Sequence, residues 1–191
     1  MRTIKTTFFL LGLLAIHGFC FAQKTPQVLI TYFSKSGKTA QLAEAVAKGS
    51  RSVKSVQVII KQIDQTTKAD LLAADAIILG SPVHNANPAP EVLKFIEGWP
   101  FDGSPMRNKL GAVFVTGGGI SSGEELTQSS LLHAMMVFGM VVMGGETWEA
   151  SFGASAITDE GPFKQGVDAL FLKKGEGLGK RVAEAVLRWN K

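Results

Sequence analysis

The sequence predicts an α/β fold in which a parallel sheet is covered by helices on both faces. Short apolar runs alternate with amphipathic stretches along the chain, the order that strand–helix–strand crossovers produce. Those runs are almost continuously apolar, as in strands buried on both sides. The length, 191 residues, is one domain's worth of chain. A domain near 150 residues buries roughly 68–70% of its unfolded surface, so a full core needs no staples.

Met1–Ala22 stands outside this pattern. Arg2 and Lys5 precede an apolar run from Phe8 to Ile16, and Cys20-Phe21-Ala22 puts small residues at −3 and −1 of a cut after Ala22. That is the layout of a cleaved signal peptide, and the apolar run is short of the ~20 residues a membrane span needs. The expectation is a secreted or periplasmic protein whose mature domain is residues 23–191, with no stable membrane span. The chain carries 20 basic and 16 acidic residues. Two of the basic ones, Arg2 and Lys5, lie in the leader, so the net charge falls from +4 to +2. So small a charge gives no reason to expect nucleic acid. The single cysteine, Cys20, is also in the leader, which excludes disulfides, cysteine nucleophiles and cysteine-held metal from the mature domain. Only His84 and His133 remain there, with no close histidine pair, so a metal centre is not expected.

Gln27–Phe33 is apolar and bounded by turn residues, and reads as the first strand. Leu42, Ala43, Val46 and Ala47 follow at helical spacing. Val56–Ile63 and Ala76–Gly80 suit the second and third strands. Val92, Phe95, Ile96 and Trp99 fall at i, i+3, i+4 and i+7, one helix face. Leu110–Thr116 is a fourth strand, followed by a glycine loop. Leu131, Leu132, Met135 and Met136 mark a helix that Gly139 can end in the left-handed conformation. Met140–Met143 is read as the fifth strand, and Leu178, Val182, Val186 and Trp189 give the last helix its apolar face. About five helices cover five strands. Gly144–Leu172 fits no simple unit, and such long stretches are usually functional or disordered.

Between the first strand and its helix lies Ser34-Lys35-Ser36-Gly37-Lys38-Thr39. A nucleoside-triphosphate loop needs a glycine where Tyr32 stands, and the dinucleotide pattern Gly-x-Gly-x-x-Gly is missing. What remains is a hydroxyl-rich turn feeding a helix N-terminus, where unpaired N–H groups and the helix dipole favour an anion. Ser34, Ser36 and Thr39 offer hydroxyls, Lys35 and Lys38 offer charge, and Gly37 lets the backbone come close. The same residues also suit a capped helix start with no ligand.

This loop resembles the FMN phosphate loop of the flavodoxin superfamily. Three further segments, in order, resemble its tryptophan-repressor-binding-protein-like NAD(P)H:quinone oxidoreductase branch: Gly80–Asn87, Thr116-Gly117-Gly118-Gly119 with Gly123-Glu124-Glu125, and Phe138–Val142. The resemblance runs from about Val28 to the C-terminus. It implies a flavodoxin-like three-layer sandwich with a five-stranded parallel sheet in the order 2-1-3-4-5. FMN would bind beyond the carboxyl ends of the strands, the placement for which flavodoxin is itself a standard example. Its phosphate would lie on Ser34–Thr39 and its ring between Pro82, Val83, His84, Asn85 and Asn87 on one side and Thr116–Gly119 on the other.

The implied activity is an FMN-dependent oxidoreductase that passes two electrons from NAD(P)H or another donor to quinones or similar acceptors. The presumed ring loops, Pro82–Asn87 and Thr116–Gly123, hold no aromatic residue and no carboxylate. Donors of the glycine turn would stabilise charge developing on the ring. His84, where the branch often has arginine, is the side chain best placed for catalysis, since an imidazole can hydrogen-bond a substrate or flavin oxygen; an exposed loop histidine without a role is the competing account. Phe138 stands where the branch commonly has a histidine facing the flavin. Trp148 and Phe152 lie where the branch puts a substrate-shaping loop, and Trp99 reads as core. A one-electron carrier and a flavin-free binding protein stay open as alternatives, and homo-oligomers are common in the family. Export leaves the NAD(P)H donor resting on the resemblance alone.

Overall fold

In the computed structural model of the chain, residues 24–189 are described; the leader, residues 1–22, lies outside them. The strands are β1 (Gln27–Tyr32), β2 (Gln57–Gln62), β3 (Ala76–His84), β4 (Asn87–Pro88), β5 (Leu110–Gly117), β6 (Val141–Val142) and β7 (Ala154–Ile157). The helices are α1 (Lys38–Arg51), α2 (Lys68–Ala73), α3 (Pro90–Glu97), α4 (Glu124–Val137) and α5 (Ala169–Trp189).

The sheet runs β2-β1-β3-β5-β6, with β7 also on β5. All of these pairs are parallel. This is the expected order, with the fifth place filled in two pieces. β6 pairs with Leu110 and Gly111, and β7 with Phe114 through Gly117. The expected fifth strand, Met140–Met143, is therefore only its first piece. The chain leaves the sheet after Val142, makes a 3-10 turn at Trp148–Ala150 and returns as β7. That excursion explains why Gly144–Leu172 fits no simple pattern.

β1 and β5 are buried at every residue. Successive side chains point to opposite faces: Val28 and Ile30 join Phe114, Leu178 and Val182 in one core, while Leu29 joins Ile77, Val113, Leu131 and Met135 in the other. Each such side chain contributes about 1.5–3 kcal/mol on burial. α1 and α5 cover the first face with their backbones almost touching. A Cβ on Gly179 would stand 1.9 Å from the Val46 carbonyl oxygen, so only glycine fits there. α2, which the sequence analysis did not mark, starts at a side-chain cap. Thr67 accepts from Asp70 N–H while the Asp70 carboxylate accepts from Thr67 N–H, a reciprocal capping box. Hydrogen bonds from the Lys61 ammonium, then from the Thr67 backbone and hydroxyl, hold the Asp70 carboxyl down at about 2.

Because the paired strands are parallel, the carboxyl ends of β1, β3, β5 and β7 share one rim.

Candidate functional site

At that rim the turn after β1 opens onto α1. Gly37 adopts φ +83° at the N-cap and has no side chain to cap the helix itself. The left-handed backbone favours glycine and leaves the first turn's N–H groups facing the loop. Ser34 Oγ accepts from Ala40 N–H at 3.2 Å, and Gly37 accepts from Gln41 N–H. The N–H groups of Lys38 and Thr39 find no acceptor among the described residues. Lys35 and Ser36 are exposed and Lys38 is half-buried. Thr39 is buried, its hydroxyl 2.8 Å from that of Thr116 on β5. One hydroxyl donates to the other, so the pair keeps one proton for a further acceptor. Tyr32, at the end of β1, is buried, and burial, with Glu44 and Asp64 adding to it, pushes its phenol up; it stays a neutral donor.

The segment after Gly80 is a hairpin rather than an open loop. Val83 pairs with Pro88 and His84 with Asn87, and the turn residues Asn85 and Ala86 have φ of +50° and +61°. Two left-handed residues suit the twist of a two-residue hairpin. Ser81 Oγ donates to the Pro82 carbonyl and accepts from Ala89 N–H, and Asn87 Nδ2 donates to the Asn85 carbonyl. Asn87 thus spends its side chain on its own turn. Pro82 and Val83 are half-buried, and His84, Asn85 and Asn87 are exposed at the tip.

The turn after β5 is packed against this tip. A Cβ on Gly123, φ +101°, would stand 2.4 Å from Ala86 Cβ. Thr116 and Gly117 are buried, Gly118 is exposed and Gly119 half-buried. Ser122 Oγ lies against Gly117, buried and without a hydrogen-bond partner among the described residues. Such an orphan costs about 1–3 kcal/mol, and a polar ligand on the turn offsets it.

A third segment, from within the stretch Gly144–Leu172 that fitted no simple unit, completes the rim. Gly117 O accepts from Thr158 N–H at 3.0 Å, Gly118 O from Asp159 N–H at 3.0 Å, and Glu160 Oε2 from Ile120 N–H at 2.7 Å. The rim beside the Thr116–Gly123 turn therefore also carries Asp159 and Glu160, carboxylates that lie outside the two expected ring loops. The signal was available: Ala154–Ile157 is short and apolar, and reading it as a strand would have put Thr158–Glu160 on the rim. The structure also brings no Phe138 to the rim. Phe138 ends α4 at the opposite end of the sheet, 5.4 Å between ring centres from Trp99 and 5.7 Å from Phe101. Trp99 is core, as its spacing suggested.

Two adjoining cavities of ≈ 350 and ≈ 370 Å³ run along β7, sharing Glu125 and Ser155. They lead from Gly123 to Phe152 and to Trp148, which is 82% exposed. A larger cavity, ≈ 410 Å³, lies between the Glu146–Ala150 stretch and α5 and adjoins the second of these at Glu149 and Lys174.

The cradle suits FMN. Open N–H groups and lysines would meet a phosphate at one end, and at the other a glycine turn with an unpartnered buried hydroxyl would meet a polar ring edge. Ser34, Lys35, Ser36, Gly37, Lys38 and Thr39 would hold the phosphate; Pro82, Val83, His84, Asn85, Asn87 and Thr116–Gly119 would flank the ring.

Comparison with known proteins agrees. The family described as NADPH-dependent FMN reductase matches residues 60–155, half of the chain. A flavodoxin of Aquifex aeolicus is 30% identical over 166 residues, covering 84% of this chain and 86% of that protein. An NAD(P)H dehydrogenase (quinone) of Geotalea uraniireducens is 32% identical over 145 residues, covering 62% and 71%. The WrbA-like flavodoxin of Agrobacterium tumefaciens superposes with a TM-score of 0.72 at 22% identity, covering 85% of this chain and 98% of its own; that likeness speaks for the fold. The chain belongs to the flavodoxin superfamily and, within it, to the NADPH-dependent FMN reductase family.

Proposed function

We propose that the protein is an FMN-dependent oxidoreductase that accepts electrons from NAD(P)H or another donor and passes them, in pairs, to quinones or similar acceptors. The observation that carries the reading is the convergence of the Ser34–Thr39 turn, the Pro82–Asn87 hairpin and the Thr116–Gly119 turn on one rim, knit by the Thr39–Thr116 hydrogen bond. FMN supplies the redox chemistry, and the protein supplies binding, orientation and potential. The α1 N-terminus with Lys35 and Lys38 binds the phosphate. The rigid hairpin fixes one side of the ring. His84, exposed on that hairpin, holds a proton or a hydrogen bond toward an acceptor's oxygen. The β7 groove, with Trp148 and Phe152, receives the acceptor.

A one-electron carrier is the second reading. It is favoured by the carboxylates the structure adds at the ring end and by the relative named flavodoxin. The test is to load the protein with FMN and add NADPH without oxygen, then a quinone. Bleaching of the visible flavin band and its return with quinone support the reductase. A flavin inert to NADPH that takes up electrons in two resolved steps in a potentiometric titration supports the carrier. The leader adds a proposal that the protein works outside the cytoplasm with a quinol or partner protein as donor; residues 1–22 fused to a reporter that stays in the cytoplasm would refute it.

A further inference from the structure

We propose that Glu160 is a positioning residue of the flavin cradle that also lowers the reduction potential of the bound cofactor. The proposal rests on the reading that FMN occupies the cradle.

Three consecutive residues beyond β7 hold the glycine turn. Thr158 N–H bonds the Gly117 carbonyl, Asp159 N–H the Gly118 carbonyl, and the Glu160 carboxylate takes Ile120 N–H at 2.7 Å. The first two continue the β5–β7 ladder past the strand ends. The third is a charge-assisted bond, short and strong for its class. Gly119 is the residue over which this carboxylate lies. A Cβ there would stand 2.5 Å from Glu160 Oε2, so the absence of a side chain at 119 lets the carboxylate reach the turn. The shape of the turn is thus set from β7.

The same group brings charge. No lysine or arginine occurs between Lys109 and Lys164, whereas Glu124, Glu125, Glu146, Glu149, Asp159 and Glu160 do. Glu124 and Glu125 open α4 beside the same turn. Lys35 and Lys38 stand at the other end. The cradle is positive where a phosphate sits and negative where the ring's electrons arrive. A carboxylate at that end disfavours electron uptake; the nearest basic residues are Lys164, four positions on, and Lys174, which lines the adjoining groove.

Glu160→Gln keeps an oxygen to accept from Ile120 N–H and removes the charge. It should bind oxidised FMN as the wild type does, within about twofold. Its preference for the reduced cofactor should rise roughly tenfold, about 30 mV for a two-electron couple, and the difference should shrink in molar salt. Glu160→Ala also frees the turn, and should weaken oxidised FMN roughly tenfold. Glu184→Gln, at the far end of α5, removes the same charge and should move neither quantity. Potentiometric and fluorescence titrations of the FMN-loaded protein read both. A Glu160→Gln potential equal to the wild type's, or a Glu184→Gln shift as large, overturns the proposal while leaving FMN binding intact. A wild-type chain that takes up no FMN overturns the cradle reading and this proposal with it.

Discussion

The phosphate end of the cradle comes from one uninterrupted stretch, Ser34–Thr39, closed by hydrogen bonds to residues a few positions away. The ring end is assembled from the β3 hairpin, the turn after β5 and the segment after β7. Its contacts, Gly123 on Ala86 and Glu160 on Ile120 N–H, join residues far apart in sequence. A local turn can be read from composition and spacing. A joint between distant segments exists only once the sheet has aligned its strands. The two ends should therefore fail differently when disturbed.

The largest effect is expected at the local end. Gly37→Asp puts a Cβ on a φ of +83° and a carboxylate at the anion seat, opposing both backbone and charge. FMN affinity should fall at least about 100-fold, with the circular dichroism of the fold unchanged. Equal affinity would show that the phosphate does not sit there.

At the assembled end, Gly123→Ala strikes the joint itself. Its Cβ meets Ala86 at 2.4 Å with φ at +101°. A loss of about 2 kcal/mol of stability is expected, a fall in Tm of about 5 °C, together with looser FMN. A variant as stable as the wild type would mean that the two loops do not need each other.

Thr116→Val cuts the Thr39–Thr116 hydrogen bond between the two ends. Thr39 then keeps a buried hydroxyl without its partner, which costs about 1 kcal/mol. FMN affinity should fall roughly fivefold, converting that energy. Isothermal titration against the wild type checks it.

The smallest effect lies outside both ends. Asp70 has its folded pKa depressed to about 2 from 3.8, so its contribution is present above about pH 4 and is lost as pH falls from 4 toward 2. Discounted for solvent screening, that is about 1 kcal/mol. Asp70→Asn should flatten the stability profile over that range in urea unfolding, without touching FMN affinity.

The fold was legible because fully buried strands carry unbroken apolar runs, and Gln27–Phe33 and Leu110–Thr116 could hardly be anything else. The split of the fifth strand was not: Val141–Val142 falls within the expected Met140–Met143, but Ala154–Ile157 is too short to show a period. They become strands by pairing with β5. The hairpin at Asn85-Ala86 escaped for a related reason. Alanine at φ +61° breaks the usual turn chemistry, and tertiary contact with Gly123 holds it. Asp159 and Glu160 followed from the missed strand. The resemblance matched Phe138 to a histidine facing the flavin; in the fold it packs instead on Trp99 and Phe101.

The most direct measurement compares FMN with riboflavin, the same ring without the phosphate, by fluorescence titration of the protein. If the α1 N-terminus anchors a phosphate while the β3, β5 and β7 segments hold the ring, FMN binds one per chain and at least about 100-fold more tightly than riboflavin. Equal affinities would contradict the account, leaving the ring end alone to bind; no binding of either would remove the cradle altogether.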